Sequence, residues 1–278
     1  MALSILSSVS ALTAENALSS TQSNLTKTLN RLSTGLKINS GADDAAGLSI
    51  ATGMSANIAA LTQSQQNASN SIGLLQTADG ALSQVSTLLN RAVTLATEAA
   101  TSGITTSQAK ALQTEYSSIQ SEIDQIGTNT DFNGQNVFAK SNVSFVSDGT
   151  SAATDSTITT DLTGTTVSAS ALKLSSNTLT TTTGAQAALS NLVESNGAID
   201  TIAAFRGSLG ASINRLTAAS NVMSNQVTNL QSAVNSLQNA DIAKTVADMT
   251  QYNVLQSTGM SALQQSNQAQ QAILKLVQ

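Results

Sequence analysis

Leu61, Gln65, Ala68, Ile72, Leu75, Ala78, Leu82, Val85, Leu89, Ala92 and Leu95 follow one another in steps of three and four, with one slip. That rhythm is a heptad seam, the narrow apolar stripe by which one helix lies along another. A second seam, Leu216, Ala219, Met223, Val227, Leu230, Val234 and Leu237, runs toward the other end of the chain. There is no proline anywhere, and proline inside a helix costs about 3 kcal/mol. Nothing covalent therefore interrupts either seam. A helix from about Ala45 to Ala100 would be on the order of 80 Å long at 1.5 Å per residue, which is a rod. A second helix fits Thr106 to Ile126, with Leu112, Tyr116, Ile119 and Ile123 on one face and a joint around Gly103.

The middle of the chain changes character. DFNGQNVF carries an Asn-Gly turn at Asn133-Gly134. NVSFV and TITTDL alternate apolar and polar residues, with SDGTSAATDS between them as the loop of a hairpin. The threonine-rich tract from Thr178 to Thr183 reads as loop or edge strand, and helical pattern returns near Ala185 and continues to the end. The expected division is terminal helices at 1–33 and 241–278, a connector at 34–46, a helical rod at 47–140 and 185–240, and a small hairpin insert at 141–184. Leu3, Leu6, Val9, Leu12, Leu18, Leu25, Leu29 and Leu32 mark one face at the N-terminus. Ile242, Val246, Met249, Leu255, Leu263, Ile273 and Leu276 do so less regularly at the C-terminus. Isolated amphipathic helices are marginal in water, so both ends need a partner.

Composition narrows the chemistry. The 278 residues include no histidine, cysteine or tryptophan. The usual general base, the thiolate nucleophile and Cys/His zinc sites are thereby excluded. Only 10% of residues are charged, against about a quarter in a typical soluble domain. Such a surface has few charges to desolvate when two copies meet. A net charge of −5 with no basic stripe argues against nucleic acid. No uninterrupted apolar run approaches the roughly 20 residues that span a bilayer, and the first residues lack the basic and apolar regions of a secretory signal. Asp43 and Asp44 stand just before AAGLSIA, where the long helix begins. One carboxylate should cap free N–H groups, both should favour the positive end of the helix dipole, and Gly35 and Gly41 should bend the connector. The Ser107-Lys110 and Ser170-Lys173 pairs are expected by chance in a serine-rich chain. No catalytic residue, metal or cofactor is expected.

LNRLSTGLKINSGADDAAGLSIA (Leu29 to Ala51), NIAALTQSQQNASNSIGLLQTADGAL (Asn57 to Leu82), DFNGQNVF, LQNADIAKTVADMT and VLQSTGMSALQQSNQAQQAILKL together resemble bacterial flagellin. The likeness covers about the first 140 and last 80 residues and lacks the family's variable outer domains. It implies a mainly α fold: a long antiparallel coiled-coil-like rod, a small β-hairpin insert, and N- and C-terminal helices paired along a filament's inner tube. The implied function is a self-polymerising, extracellular filament subunit with no enzymatic activity, exported through the flagellar type III apparatus without a cleaved signal peptide. The implied partners are other copies, an export chaperone on the C-terminal segment, and the filament cap and hook-associated proteins. By the same resemblance Arg91, Leu95 and Glu115 match residues recognised by the vertebrate Toll-like receptor, although Val93 and Thr94 stand where a charged pair is common. Polymerisation would rest on Leu3, Leu6, Val9, Leu12, Leu25, Leu29, Leu32, Val246, Met249, Leu255, Leu263, Ile273 and Leu276. The hook–filament junction protein, a relative with similar ends, is the alternative; a carboxylate hydrolase using Asp43 or Asp44 is a poorer one.

Overall fold

The structure is a computed structural model that describes residues 9–139, 142–145, 157–160 and 167–277. Its helices are α1 (Val9–Thr34), α2 (Ala45–Ala99), α3 (Thr106–Asn129), α4 (Thr182–Val193), α5 (Ala198–Gln238) and α6 (Ile242–Val277). Between α3 and α4 come β1 (Asp131–Phe132), β2 (Gln135–Asn136), β3 (Asn142–Phe145) and β4 (Thr157–Thr160). The fold is mainly α, with long helices and two small antiparallel strand pairs. Two compact units share these elements: residues 1–56 with 229–278, and residues 57–228.

In the second unit the α2 seam is the core. Leu61, Ala68, Leu75, Ala78, Leu82, Val85, Leu89, Ala92 and Leu95 are all buried, and Ile202, Leu209, Leu216 and Met223 of α5 are buried too. Gln65, the polar step in the seam, is half-buried and donates from Nε2 to the Ser220 carbonyl of α5 at 3.3 Å. A polar group inside a seam is tolerated when it finds a partner, and this one does. Arg206 of α5 grips Asp79 of α2 through Nε–Oδ1 at 2.8 Å and Nη2–Oδ2 at 3.4 Å. Both side chains are about 40% exposed, so the pair fixes register and contributes no more than about 1 kcal/mol. Among the described residues α2 is the one helix long and apolar enough to cross a membrane by length and composition. Its seam leucines are instead buried inside the protein.

The joint between α2 and α3 falls at Gly103, whose φ of +99° suits glycine. Thr105 and Gln108 then form a reciprocal capping box that starts α3. One face of α3 does something the periodicity did not announce. Gln113 Oε1 accepts from the Leu179 amide, Gln120 Nε2 donates to the Leu174 carbonyl, and Asp124 Oδ1 accepts from the Ala169 amide at 2.7 Å. These side chains supply partners to the backbone of an irregular segment, so Val167, Ala169, Leu172, Leu174 and Leu179 can all be buried without a strand or helix.

Gly127 completes that junction. A Cβ there would drive into the Val167 carbonyl oxygen and crowd the Val167 side chain. Gly127→Ala is expected to destabilise the second unit by about 1–3 kcal/mol, the usual range for overpacking. Thermal or urea unfolding of the single variant checks it, and an unchanged midpoint would contradict the close approach.

Asn133 and Gly134 both have positive φ, +53° and +73°, as a two-residue type I′ hairpin requires. The register is Asp131↔Asn136 and Phe132↔Gln135, and the Phe132 ring lies where a Cβ on Gly73 of α2 would meet it at 3.5 Å. β3 pairs β4 antiparallel from Asn142↔Thr160 to Phe145↔Thr157. The expected loop SDGTSAATDS lies outside the described residues.

Two expectations need correction. The threonine tract is not wholly loop: Thr181 caps α4 by accepting from the Gly184 amide at 3.1 Å, and helix begins at Thr182. Nor does helix continue unbroken from Ala185. It stops at Val193, where Asn196 (φ +66°) and the Gly197 amide's bond to the Glu194 carbonyl make a tight turn. The apolar spacing resumes one heptad on, from Leu192 to Ile199, so it could not mark this break.

Candidate functional site: the terminal helix pair

α1 and α6 pack along each other in the first unit. They run antiparallel: Gln256 Nε2 donates to Gln22 Oε1, and a Cβ on Gly259 would meet Leu18 Cδ1 at 3.3 Å. The seam is made by Ala11, Ala14, Leu18, Thr21, Leu25, Thr28 and Leu32 of α1 and Thr245, Met249, Tyr252, Gln256, Gly259, Leu263 and Ser266 of α6, all buried or half-buried, with Asn24, Arg31 and Asp248 half-buried beside them. Both sets step by three and four, so this is again a heptad seam. It is a poor one. Thr28 and Thr245 are buried hydroxyls that turn back to the carbonyls of Asn24 and Asp241 at 2.8 and 2.6 Å, and Gln256 and Gly259 bring no aliphatic side chain to their places.

The terminal apolar residues do not form one face, as the sequence reading expected; they divide. Leu25 is buried, and Leu32, Met249 and Leu263 are half-buried in the seam. Val9 (75% exposed), Leu12 (60%), Leu29 (46%), Val246 (40%) and Leu255 (45%) project away from it. A seam between two helices is only about two residues wide, so apolar residues off its a and d positions stay outside. Leu3 and Leu6 lie outside the described residues. Ile273 and Leu276 fall on the α6 backbone, with side chains outside the described ones. Ile242, Val254 and Met260 are equally exposed; a helical wheel of α6 puts all three off its seam.

The connectors tie this pair to the long helices' ends in the same unit. Gly35, in left-handed conformation at φ +73°, ends α1 with its amide on the Arg31 carbonyl at 2.8 Å. The next residues pair with the far end of the chain: the Lys37 amide donates to the Gln238 carbonyl at 2.6 Å and the Ala240 amide to the Gly35 carbonyl at 2.9 Å, around an antiparallel Leu36↔Asn239 bridge. Gly41 has ordinary backbone and nothing nearer than Leu48 Cδ2 at 4.0 Å, so no glycine is required there.

The two adjacent carboxylates take different partners. Asp44 Oδ1 accepts from the Gly47 amide at 2.9 Å, which caps α2. Asp43 Oδ2 instead accepts from the Asn39 and Ser40 amides and the Ser40 hydroxyl at 3.3, 3.1 and 3.0 Å, which closes the turn before the helix. Asp241 repeats the cap at the other end, accepting from the Lys244 amide at 3.1 Å. Gly47 was missed: a Cβ there would stand 2.5 Å from Asp44 Oδ2 and 2.8 Å from Ile38 Cδ1, so the cap and the buried Ile38 both need glycine.

The Ser40 hydroxyl, then the Asn39 and Ser40 amides, hold the Asp43 carboxyl below the ordinary carboxylate range, with Arg31 helping through charge. A lowered folded-state pKa means the turn is held above the unfolded value of about 3.9 and released as pH falls through the lower folded value. The Ser40 amide resonance should therefore titrate with a midpoint below about 3.9. A midpoint at or above it would contradict the three-donor geometry around Asp43 Oδ2.

Arg91 Nε and Glu115 Oε1 form an ion pair at 2.7 Å between α2 and α3, both about half exposed. Leu95 is different: its exposure is 0%. The three residues named by resemblance do not form one accessible patch, because the seam consumes the leucine.

Paired tails with a polar-flawed seam and aliphatic side chains left in water define a class: a structural subunit completed by contact with others. Residues 5–143 match the family model described as bacterial flagellin N-terminal helical region, and residues 192–277 the bacterial flagellin C-terminal helical region. A flagellin of Halalkalibacterium halodurans is 34% identical over 251 residues, covering 90% of this chain and 91% of that one. A flagellin of Serratia marcescens is 49% identical over 75 residues, 27% of this chain and 21% of its own. A crystal structure of Bacillus cereus flagellin aligns at 28% identity over 61% of this chain and 94% of its own, with a TM-score of 0.49. The chain belongs to the bacterial flagellin family, a family of structural proteins that form the flagellar filament.

Proposed function

We propose that this chain polymerises through its terminal helix pair, each copy covering aliphatic side chains that a neighbour leaves in water, and that it carries no catalytic activity. The observation that supports this is the division of the tails: Val9, Leu12, Leu29, Ile242, Val246, Val254, Leu255 and Met260 are exposed on helices whose own seam is poor. Burying one such side chain fully is worth about 1.5–3 kcal/mol. Repeated at every contact, partial burial offsets the ordering of two otherwise marginal helices.

The same exposed residues of α6 would need covering before assembly, which suits an export chaperone on the C-terminal segment. Cap and hook-associated proteins would meet the tails at the two filament ends. Any host receptor would read the Arg91–Glu115 pair and its exposed neighbours, with Leu95 acting only as the packing beneath. The absence of histidine and cysteine and the separate structural duties of Asp43 and Asp44 support the non-enzymatic reading. Seeded polymerisation of the full chain, followed by electron microscopy, tests the proposal. Long filaments are expected; a protein that stays monomeric at high concentration with seeds present would contradict it.

A further inference from the structure

Two Asn-Gly pairs occur in the chain, Asn133-Gly134 and Asn196-Gly197. This dipeptide carries a chemistry that needs no enzyme. The glycine amide nitrogen attacks the side-chain carbonyl carbon of the asparagine, and no Cβ shields its approach. Both asparagines start from left-handed backbone, at φ +53° and +66°, and both are exposed. What separates the two pairs is the state of the glycine.

Gly134 is exposed, and among the described residues its amide has no hydrogen-bond partner. A Cβ placed on it would have no atom within 4 Å, so a ring forming there has room. It sits at the tip of a hairpin whose strands are two residues each, and so short a ribbon opens locally with little cost. Gly197 is buried. Its amide donates to the Glu194 carbonyl at 2.6 Å, and its carbonyl accepts from the Thr201 amide at 3.0 Å in the first turn of α5. A Cβ there would stand 2.7 Å from the Glu194 carbonyl oxygen and 3.0 Å from that of Asn191. The Asn196 amide is held as well, donating to Asp200 Oδ2 at 3.2 Å. Attack by the Gly197 nitrogen therefore requires a made bond to be broken and a helix start to be disturbed.

We propose that Asn133 is a site of spontaneous deamidation in the folded chain, while the fold protects Asn196. The Gly134 nitrogen gives up its proton to solvent and bonds to Asn133 Cγ. The Cγ–Nδ2 bond breaks, ammonia leaves with a proton taken from solvent, and a cyclic imide remains. Water then opens the ring at either carbonyl. Opening at Cγ gives aspartate; opening at the main-chain carbonyl gives isoaspartate, whose backbone runs through the former side chain. Water enters, ammonia leaves, and nothing is oxidised or reduced. Isoaspartate lengthens the main chain at the tip by a methylene, so the two-residue loop can no longer hold the Phe132↔Gln135 register. The Phe132 ring beside Gly73 then loses its anchor.

The chain's own basic residues make the test direct. Trypsin cleavage after Lys110, Lys140, Lys173 and Arg206 places Asn133 in the peptide 111–140 and Asn196 in the peptide 174–206. The full chain is aged in warm, mildly alkaline buffer, folded and in urea. Both peptides are followed by mass spectrometry, with an isoaspartyl methyltransferase marking isoaspartate. In the folded chain Asn133 should convert at least about tenfold faster than Asn196. In urea the two rates should fall within about threefold of each other, because neither glycine amide is then held. Equal rates in the folded chain would overturn the inference, as would an Asn133 that stays intact when folded yet converts in urea. The same large ratio in urea would also overturn it, since the difference would then belong to the flanking residues and not to the fold. Asn133→Asp brings the charge on an ordinary backbone and should keep the Phe132 ring resonances of the wild type, whereas the isoaspartate chain should lose them. Ring resonances unchanged in the isoaspartate chain would overturn the claim on the register.

Discussion

Removal of residues 1–33 is expected to abolish filament growth while leaving the unfolding of residues 57–228 unchanged. The deletion takes away Leu18, Leu25, Thr28 and Leu32, one whole side of the terminal seam. It also removes Val9, Leu12 and Leu29, which are exposed. α6 would then be a lone amphipathic helix, marginal in water because its stability comes from packing and not from propensity. The rod seam of α2 and α5 contains none of the deleted residues, so its cooperative transition should keep its midpoint. Electron microscopy with sedimentation reads the first outcome and thermal unfolding the second. Filaments from the truncated chain would contradict the role given to the tails.

The largest expected effect on folding is at Leu89. It is fully buried in the α2 seam, between Val85 and Ala92, which are buried too. Leu89→Asp loses the leucine's packing, worth about 2–5 kcal/mol when truncated, and puts a carboxylate among buried apolar side chains. The total should reach on the order of 5 kcal/mol, comparable to the whole stability of a modest domain. Burial would raise the folded-state pKa of the new aspartate above its unfolded value. The variant is then least destabilised at acid pH, near or below about 4, and loses stability as pH rises until the folded value is passed. Leu89→Ala should show the packing loss without that pH dependence. Urea unfolding at several pH values separates the two, and a flat profile for Leu89→Asp would mean the seam admits water.

How far the fold could be read from the residues depended on what each pattern encodes. The α2 seam was legible almost to the residue, because burial in a long helix repeats with a fixed period and no proline or glycine turn interrupts it. The Asn133-Gly134 hairpin was legible because two consecutive positive φ angles require such residues. Helix ends inside a continuous apolar rhythm were not: the stop at Val193 depends on Asn196 and Gly197 closing a turn that the spacing ignores. The buried segment from Val167 to Leu179 was also invisible, since its backbone partners, Gln113, Gln120 and Asp124, belong to another element. At the terminal site, apolar content was legible but its direction was not. Leu25 and Leu29 look equivalent in sequence, yet one is buried and the other exposed, because only the facing helix defines which positions are seam. Leu95 taught the converse: a residue matched by resemblance to a contact is held inside by packing.

The central claim is that copies of this chain hide each other's tails. Backbone hydrogen exchange of free monomer and assembled filament, compared segment by segment, tests it most directly. Amides in 9–34 and 242–277 should exchange quickly in dilute monomer and become strongly protected in the filament, while the rod seam from Leu61 to Leu95 is protected in both. Tails already rigid in the solitary molecule, or still unprotected after assembly, would contradict the claim.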